Sequence, residues 1–199
     1  LNFNSDVFLL DPSDEEAVAI NLTRHPDMDV SPRVSRDGKV LTFLSDRDNN
    51  NWDYDVYAIY LDEALESLRP YELKEHFEEA AKRAKKDKAF DSEKDYRFLG
   101  ENLEDAYLRV RRLTSIPGSE SALALTPGGE RVLFETSIDG DRALYSVDHL
   151  GKERKTVEKG NVSDVSVSRK GDKALYIKRG AATLGKVTGG DSESLPVDV

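Results

Sequence analysis

The sequence predicts a mainly β protein made of β-propeller blades, each a four-stranded antiparallel meander, in an incomplete propeller with one inserted α-helical segment. Two observations lead to this prediction: short apolar strands alternate with tight glycine turns, and the same turn recurs at a regular spacing. Residues 31–62 read as strand, Asp37-Gly38 turn, strand, polar loop and strand, which is a small meander. Because one meander cannot bury both of its faces, it requires neighbouring sheets.

The turn glycines Gly38, Gly129 and Gly171 each precede an apolar strand, and a Leu-Thr pair lies before each of the first two at the same distance. Gly129 and Gly171 are 42 residues apart, which matches the roughly 40–45 residues of a four-stranded blade. Gly38 and Gly129 are 91 residues apart, which is one such period plus 49 inserted residues. A β-sandwich with similar turns is the alternative, but it would not require matching flanks.

The chain is predicted to divide into three segments. Residues 1–62 hold a partial blade and the first complete meander, residues 63–106 form a helical insertion, and residues 107–199 hold two further blades and the start of a next one. Without the insertion, about 150 residues remain, fewer than the roughly four to eight blades of a closed propeller require. We therefore expect part of a larger propeller, or self-association through unpaired blade edges.

The insertion is predicted to contain a helix at residues 69–88, with Pro70 in its first turn and lysines at its end. Its narrow apolar stripe is predicted to lie on the propeller surface, or alternatively to dock a partner. The stripe consists of Leu73, Phe77, Ala81 and Ala84. Residues 90–99 read as a polar return, and Trp52 as a plug between blades rather than a platform for a ligand.

Composition narrows the class of partner. The net charge of −10 disfavours nucleic acid and anionic membranes, which require clustered Lys and Arg. No apolar run approaches the roughly 20 residues of a membrane span, so membrane insertion is not predicted. The chain lacks Cys and opens on Leu1 within a strand pattern, which we interpret as a boundary inside a longer protein. A peptide or protein ligand remains the expected partner.

No residue is predicted to be catalytic, cofactor-binding or metal-binding, and no cofactor is predicted. The polar loop from Asp46 resembles a calcium loop, but Asn51 and Tyr57 occupy the positions where an EF-hand needs Gly and Glu. A looser oxygen-ligand site at this loop stays open as an alternative. Arg47, which follows the Ser-Asp pair, is predicted to form a structural ion pair.

The histidines and loop serines show no catalytic pattern either. His25, His76 and His149 lie in three different elements at no metal spacing, and each is predicted to be a surface or hydrogen-bonded residue. Ser119 and Ser192 lack the G-x-S-x-G elbow of a serine nucleophile.

Two stretches resemble known families. The run SPRVSRDGKVLTFLSDRD from Ser31, followed by Tyr54-Asp-Val-Tyr, resembles the repeat of TolB-like β-propellers. Residues 102–114, NLEDAYLRVRRLT, resemble the segment that leads into a blade of tricorn-type serine peptidases, although Asn102 stands where that family usually has Asp. The first resemblance covers most of residues 1–61 and 107–190, and the second covers about a dozen residues.

These resemblances imply a function for the chain. They point to a non-catalytic module of a larger tricorn-like serine peptidase that binds or guides peptide substrate, with the proteolytic core beyond Val199. The alternative is a TolB-like periplasmic scaffold for protein–protein interaction, and a propeller polysaccharide lyase is a third class. The implied location is periplasmic or secreted in a bacterium, or cytoplasmic for an archaeal tricorn-like protein. Whether the parent is an enzyme stays open.

Overall fold

The computed structural model describes residues 4–49, 52–86 and 102–196. Two 3₁₀ helices, Glu63–Ser67 and Leu103–Arg109, and one α-helix, α1 (Pro70–Lys85), lie between the fifth and sixth strands. The strands are β1 (Phe8–Leu9), β2 (Ile20–Asn21), β3 (Asp29–Val34), β4 (Val40–Ser45), β5 (Asp55–Tyr60), β6 (Arg111–Arg112), β7 (Ser121–Leu125), β8 (Arg131–Ile138), β9 (Asp141–Asp148), β10 (Lys155–Lys159), β11 (Val162–Val167), β12 (Lys173–Lys178), β13 (Ala181–Lys186) and β14 (Ser192–Ser194).

The strands form three four-stranded antiparallel sheets in sequence order, β3–β6, β7–β10 and β11–β14, preceded by the strand pair β1–β2. The first strands of successive sheets lie against one another, β3 against β7 and β7 against β11. Sheets that meet along their first strands and follow one another around a common axis are the blades of a propeller. The predicted fold class, an incomplete propeller with a helical insertion, is confirmed.

The insertion separates the third and fourth strands of the first blade. After it, Arg111 and Arg112 pair with Ala58 and Tyr57, so β6 completes the sheet that β3, β4 and β5 began. The polar segment at Ser192 forms the fourth strand of the third blade, paired with β13. The predicted division of the chain at residues 62 and 106 stays a prediction, and the polar return at residues 90–99 lies outside the described residues.

The core consists of apolar layers between successive sheets. On β8, Phe134 packs toward the first blade with Val56 and Ala58, whereas Leu133 packs toward the third blade with Ala174 and Tyr176. Successive side chains of a strand point to opposite faces, so a sheet covered on both sides reads as a continuous apolar run. This explains why β8 and its equivalents appear in the sequence without a polar face.

The helix α1 lies on the blade surface, as predicted. Glu72 accepts a hydrogen bond from the backbone N–H of Arg69, at 2.9 Å, which closes the first turn. The buried face consists of Leu73, Phe77, Ala80 and Ala84, so Ala80 takes the place that the sequence pattern gave to Ala81. It packs against Val40 and Tyr60 of the first blade and against Leu65 of the first 3₁₀ helix.

The turn of the second blade, at Gly129, packs closely against α1. Gly129 has a φ of +75°, and a Cβ at this position would lie 2.8 Å from Val40 Cγ2 and 3.3 Å from Phe77 Cε1. Gly140, in the β8–β9 turn, has a φ of +88° with open space where its Cβ would be. The two glycines therefore separate the effect of backbone conformation from the effect of close packing.

We expect Gly140→Ala to lower the free energy of unfolding by about 1 kcal/mol, because an L residue is strained at positive φ. Gly129→Ala should cost roughly 2–4 kcal/mol, because overpacking against Val40 and Phe77 adds to that strain. Urea unfolding followed by circular dichroism measures both. Equal losses in the two variants would contradict the close approach of α1 to this turn.

Candidate functional site

The first strand of each blade carries a β-bulge at the same place. Ser31, Ala122 and Asp164 have φ angles of 55°, 51° and 53°, and each lies seven residues before its turn glycine. The strand register shifts at each of these residues. A bulge bends its strand and leaves one residue out of the ladder, so the repeat bends all three first strands alike.

We define the axial surface as the exposed and half-buried residues of these three first strands that do not pack against a core cluster. It is the side of the molecule nearest to the axis. Its members are Ser31, Pro32, Arg33, Val34, Ser121, Ala122, Ser163, Asp164 and Ser166.

The chemistry of the axial surface suits an extended chain. Each first strand is an edge strand that pairs with a single neighbour in its sheet, and edge strands carry unpaired backbone N–H and C=O groups. Arg33 donates from Nε to the carbonyl of Leu123 at 3.0 Å and so joins β3 to β7. Val34 next to it is 48% exposed, which is unusual for a valine within a strand.

Polar side chains hold each blade to the segment that follows its fourth strand and leads to the next blade. The backbone N–H of Val56 donates to Thr114 Oγ1 at 2.8 Å, and the equivalent bond joins Val7 to Thr23 Oγ1 at 3.0 Å. Asp55 beside Val56 accepts hydrogen bonds from Arg112 and Asn49. These bonds hold the segment between two blades in place, so the repeat motif Asp-Val-Tyr has a structural role here.

Glu120 lies next to Asp55 and is only 1% exposed. Within the described residues, neither of its carboxyl oxygens has a hydrogen-bond partner of good geometry, and neither has Asp55 Oδ1, although the Asp55 carboxyl group and the Thr114 hydroxyl lie close enough to interact with Glu120. Burial, reinforced by the neighbouring Asp55 carboxylate, raises the pKa of Glu120 to about 9. At neutral pH this carboxyl group therefore carries a proton.

The predicted ion pair of Arg47 is confirmed. Its Nη2 atom lies 2.8 Å from both carboxylate oxygens of Asp29, and its guanidinium also stands 5.3 Å from the ring centre of Phe43 and 5.1 Å from that of Tyr57. Both partners are largely buried. This ion pair therefore stabilises the contact between the start of β3 and the residues just after β4.

Protein donors occupy the carboxylates of the polar loop after β4. Asp46 accepts from the backbone N–H of Met28 at 2.8 Å, and Asp48 accepts from the hydroxyl of Tyr57 at 2.6 Å. In the part of the chain that the structure describes, no group of three or more His, Asp or Glu side chains is placed to hold a metal ion. The predicted plug role of Trp52 is wrong, because its side chain is 69% exposed.

The loop serines are placed as follows. The Ser119 hydroxyl accepts a hydrogen bond from the backbone N–H of Tyr54 at 3.1 Å, and Ser192 lies on the outer strand β14. Within residues 4–49, 52–86 and 102–196, neither serine is hydrogen-bonded to a histidine. His25 accepts a hydrogen bond at Nδ1 from the backbone N–H of Asp27 at 3.3 Å.

The fold brings His76 and His149 to the same aromatic ring, that of Phe77, although nothing in the sequence relates them. The Phe77 ring of α1 stacks on His149, with 4.2 Å between the ring centres, and meets His76 edge-on at 5.4 Å. The Nε2 atoms of both histidines are buried without a hydrogen-bond partner among the described residues, which contradicts the predicted surface or satisfied role. No sequence spacing relates a helix residue to the distant β9–β10 connection, so this contact had no signal.

Comparison with known proteins supports the fold. No family model and no curated protein matches the sequence. Among solved structures, TolB from Acinetobacter baumannii matches with a TM-score of 0.57 and 14% identity, over 96% of this chain and 37% of TolB. The tricorn protease matches with a TM-score of 0.55 and 15% identity, over 95% of this chain and 20% of the protease.

A puromycin-hydrolyzing peptidase from Mycobacterium tuberculosis matches with a TM-score of 0.58 and 13% identity, over 97% of this chain and 26% of the peptidase. The chain thus spans well under half the length of each of these three proteins. At such identities the likeness concerns the fold alone. In fold, this chain resembles TolB-like propellers and the propellers of peptidases.

The protonated Glu120 makes stability depend on pH. Its pKa in the folded chain, about 9, lies above its unfolded value of about 4.3. The folded state therefore binds more protons between these values, and stability is lost as pH rises through that range, by up to about 1.4 kcal/mol per pH unit. We expect Glu120→Gln to be more stable than the parent at pH 8 and to show a flatter profile in urea unfolding.

Glu135→Gln is the matched control for this prediction. Burial raises the pKa of Glu135, but hydrogen bonds from Arg142 and from the backbone of Val162 outweigh burial and lower the pKa. This carboxylate therefore stabilises the fold above its unfolded pKa and loses that effect in acid. Glu135→Gln should be destabilised at pH 8. A loss of stability at pH 8 in both variants would contradict a protonated Glu120.

We expect acidic pH to weaken the docking of α1 on the blades. Burial lowers the pKa of both His76 and His149, so their contribution to docking is present above about pH 6.5 and is lost as pH falls through the folded pKa. The charged groups that face them are Asp37, Lys39, Asp62, Arg83, Arg111, Asp148 and Glu153. We expect faster amide exchange at Phe77 and Ala84 at about pH 5.5 than at pH 7.5, after correction for intrinsic rates.

The control for this experiment is a double variant, His76→Phe with His149→Phe, which keeps the aromatic contacts but cannot titrate. Its exchange at α1 should change less with pH than that of the parent chain. His25→Phe, which lies away from α1, should behave like the parent. The same pH response in all three proteins would show that these two histidines do not control docking.

Proposed function

We propose that the chain is a non-catalytic β-propeller module of a larger tricorn-like serine peptidase and that it binds or guides peptide substrate. The axial surface is the observation that supports this proposal most directly. Three edge strands face one axis, and an extended peptide adds to such an edge through backbone hydrogen bonds. The bulges at Ser31, Ala122 and Asp164 repeat in all three blades, as expected for a surface that acts as a unit.

The composition of the axial surface indicates broad rather than narrow specificity. It combines one cation, Arg33, with one anion, Asp164, and with the half-exposed Val34. Backbone pairing supplies affinity without regard to sequence, and a few side chains select among ligands. A module of this kind would let many peptides pass toward a catalytic centre located elsewhere in the parent protein.

The second candidate is a TolB-like scaffold that binds folded proteins. The exposed Trp52 favours it, because large aromatic side chains are enriched in interface hot spots. The open face of the third blade, where Leu175 is 38% exposed, supports the predicted self-association. The location expected for the protein is periplasmic or secreted in a bacterium, and cytoplasmic if the parent is an archaeal tricorn-like protein. Among the described residues, no helix has the length and apolar content to cross a membrane.

Peptide binding at the axial surface can be tested with Val34→Asp. The probe is a fluorescein-labelled peptide of alternating Thr and Val with both ends capped, because these residues favour extended backbone. We expect Val34→Asp to weaken binding by about tenfold in fluorescence anisotropy, since the charge opposes burial of the strand edge.

The matched control is Val18→Asp, because Val18 is 83% exposed and lies outside the first strands. This variant should bind the probe as the parent chain does. Equal losses in both variants, or no binding by the parent, would overturn the axial proposal. If the Trp52→Ala variant bound the peptide as the parent does but no longer bound a folded partner protein, the scaffold function would be favoured.

A further inference from the structure

A second candidate site lies at the junction between the first and second blades. A cavity of about 360 Å³, the interblade niche, opens there beside the core layer that these two blades share. Its wall exposes polar and apolar surface in about equal amounts and includes one arginine. The residues that matter for its chemistry are Leu113, Ile116, Pro117, Ile138, Val147 and Arg154. Its volume is at the lower end of ligand pockets, enough for one or two amino-acid residues.

The preceding junction shows why the niche is open. Leu22 and Leu113 are equivalent, because each precedes a Thr whose hydroxyl accepts a backbone hydrogen bond. Thr23 accepts from the N–H of Val7, and Thr114 accepts from the N–H of Val56. Around Leu22, the 3₁₀ helix of the insertion supplies Leu103 and Ala106 to the apolar cluster. The chain itself therefore fills the first of these two junctions with aliphatic side chains.

The second blade has no comparable filling. Its β9–β10 connection spans residues 149–154 only, whereas the β5–β6 connection of the first blade spans residues 61–110. The short connection brings Gly151 and Arg154 to the niche. A Cβ on Gly151 would overlap the carbonyl oxygen of Leu113, so the two backbones are in contact here and close one side of the niche.

Arg154 supplies an unmatched charge. Its guanidinium stands 5.6 Å from the ring centre of Tyr145, and in the described part of the chain it forms no hydrogen bond or ion pair. This is notable in a chain of net charge −10, where carboxylates outnumber cations. Arg154 is an exposed arginine that lies on an aromatic ring and lines the niche, so its guanidinium is suited to pair with a carboxylate of a ligand.

We propose that the interblade niche binds a short peptide end that carries an aliphatic side chain and a free C-terminal carboxylate. The aliphatic side chain packs against Ile116, Ile138 and Val147, as Leu103 and Ala106 pack at the preceding junction. The carboxylate pairs with Arg154. This site is separate from the axial surface, so the inference does not depend on peptide binding there.

The test compares two small probes, acetyl-Ala-Leu with a free carboxylate and the same dipeptide with an amidated end. Binding is followed by changes in the backbone amide signals of isotope-labelled protein. We expect the acid to shift the signals of Ser115, Ile138 and Gly151 and to bind at least about tenfold more tightly than the amide, as a charge-assisted pair implies. Arg154→Gln should abolish this preference for the acid.

Arg179→Gln is the matched control, because Arg179 is an exposed arginine in the β12–β13 turn of the third blade. It should retain the preference. A second variant, Ile116→Trp, should fill the niche and weaken both probes, with its melting temperature showing whether it is folded. Equal binding of acid and amide by the parent, shifts confined to the axial surface, or no shifts at millimolar probe would each overturn the proposal.

Discussion

The structure depends on one constraint: every four-stranded sheet has two apolar faces, and both must be covered. Leu133 and Phe134 are neighbours in sequence, yet they belong to core layers on opposite sides of the second blade and are both fully buried. Covering the two faces of each sheet forces the blades into a series, since every blade supplies half of two layers. The equivalent of Leu133 in the third blade, Leu175, is 38% exposed because no further sheet covers it among the described residues.

The polar interactions set the register of this series. Apolar layers would tolerate sliding of one sheet over the next, but hydrogen bonds have fixed geometry. The Thr114 and Thr23 hydroxyls bind backbone groups at equivalent places, and in the second blade Glu135 accepts from the backbone N–H of Val162 at 2.9 Å. Different residue types thus fix the position of one blade relative to the next. This explains why the Asp-Val-Tyr motif is complete in only one blade.

The insertion has two effects on the surface. Its α-helix covers the turns of the first and second blades at one end, through Phe77 and the glycines of the second turn. Its second 3₁₀ helix fills the junction between the strand pair and the first blade. Where the next blade lacks such an insertion, the equivalent junction remains open beside Arg154. The differences between repeats, rather than the repeats themselves, therefore create the candidate binding features.

The sequence by itself determined the blade architecture, the turn glycines, the inserted helix and the ion pair of Arg47, because these follow from local backbone preferences and from a spacing that recurs. It did not determine the exposure of Trp52, the stacking of His149 on Phe77 beside His76, or the burial of Glu120 beside Asp55. Each of these depends on residues that are far apart in the chain and that meet only when blades and insertion pack together. Burial and charge at such meetings are properties of the tertiary structure, and the axial surface and the interblade niche arise in the same way.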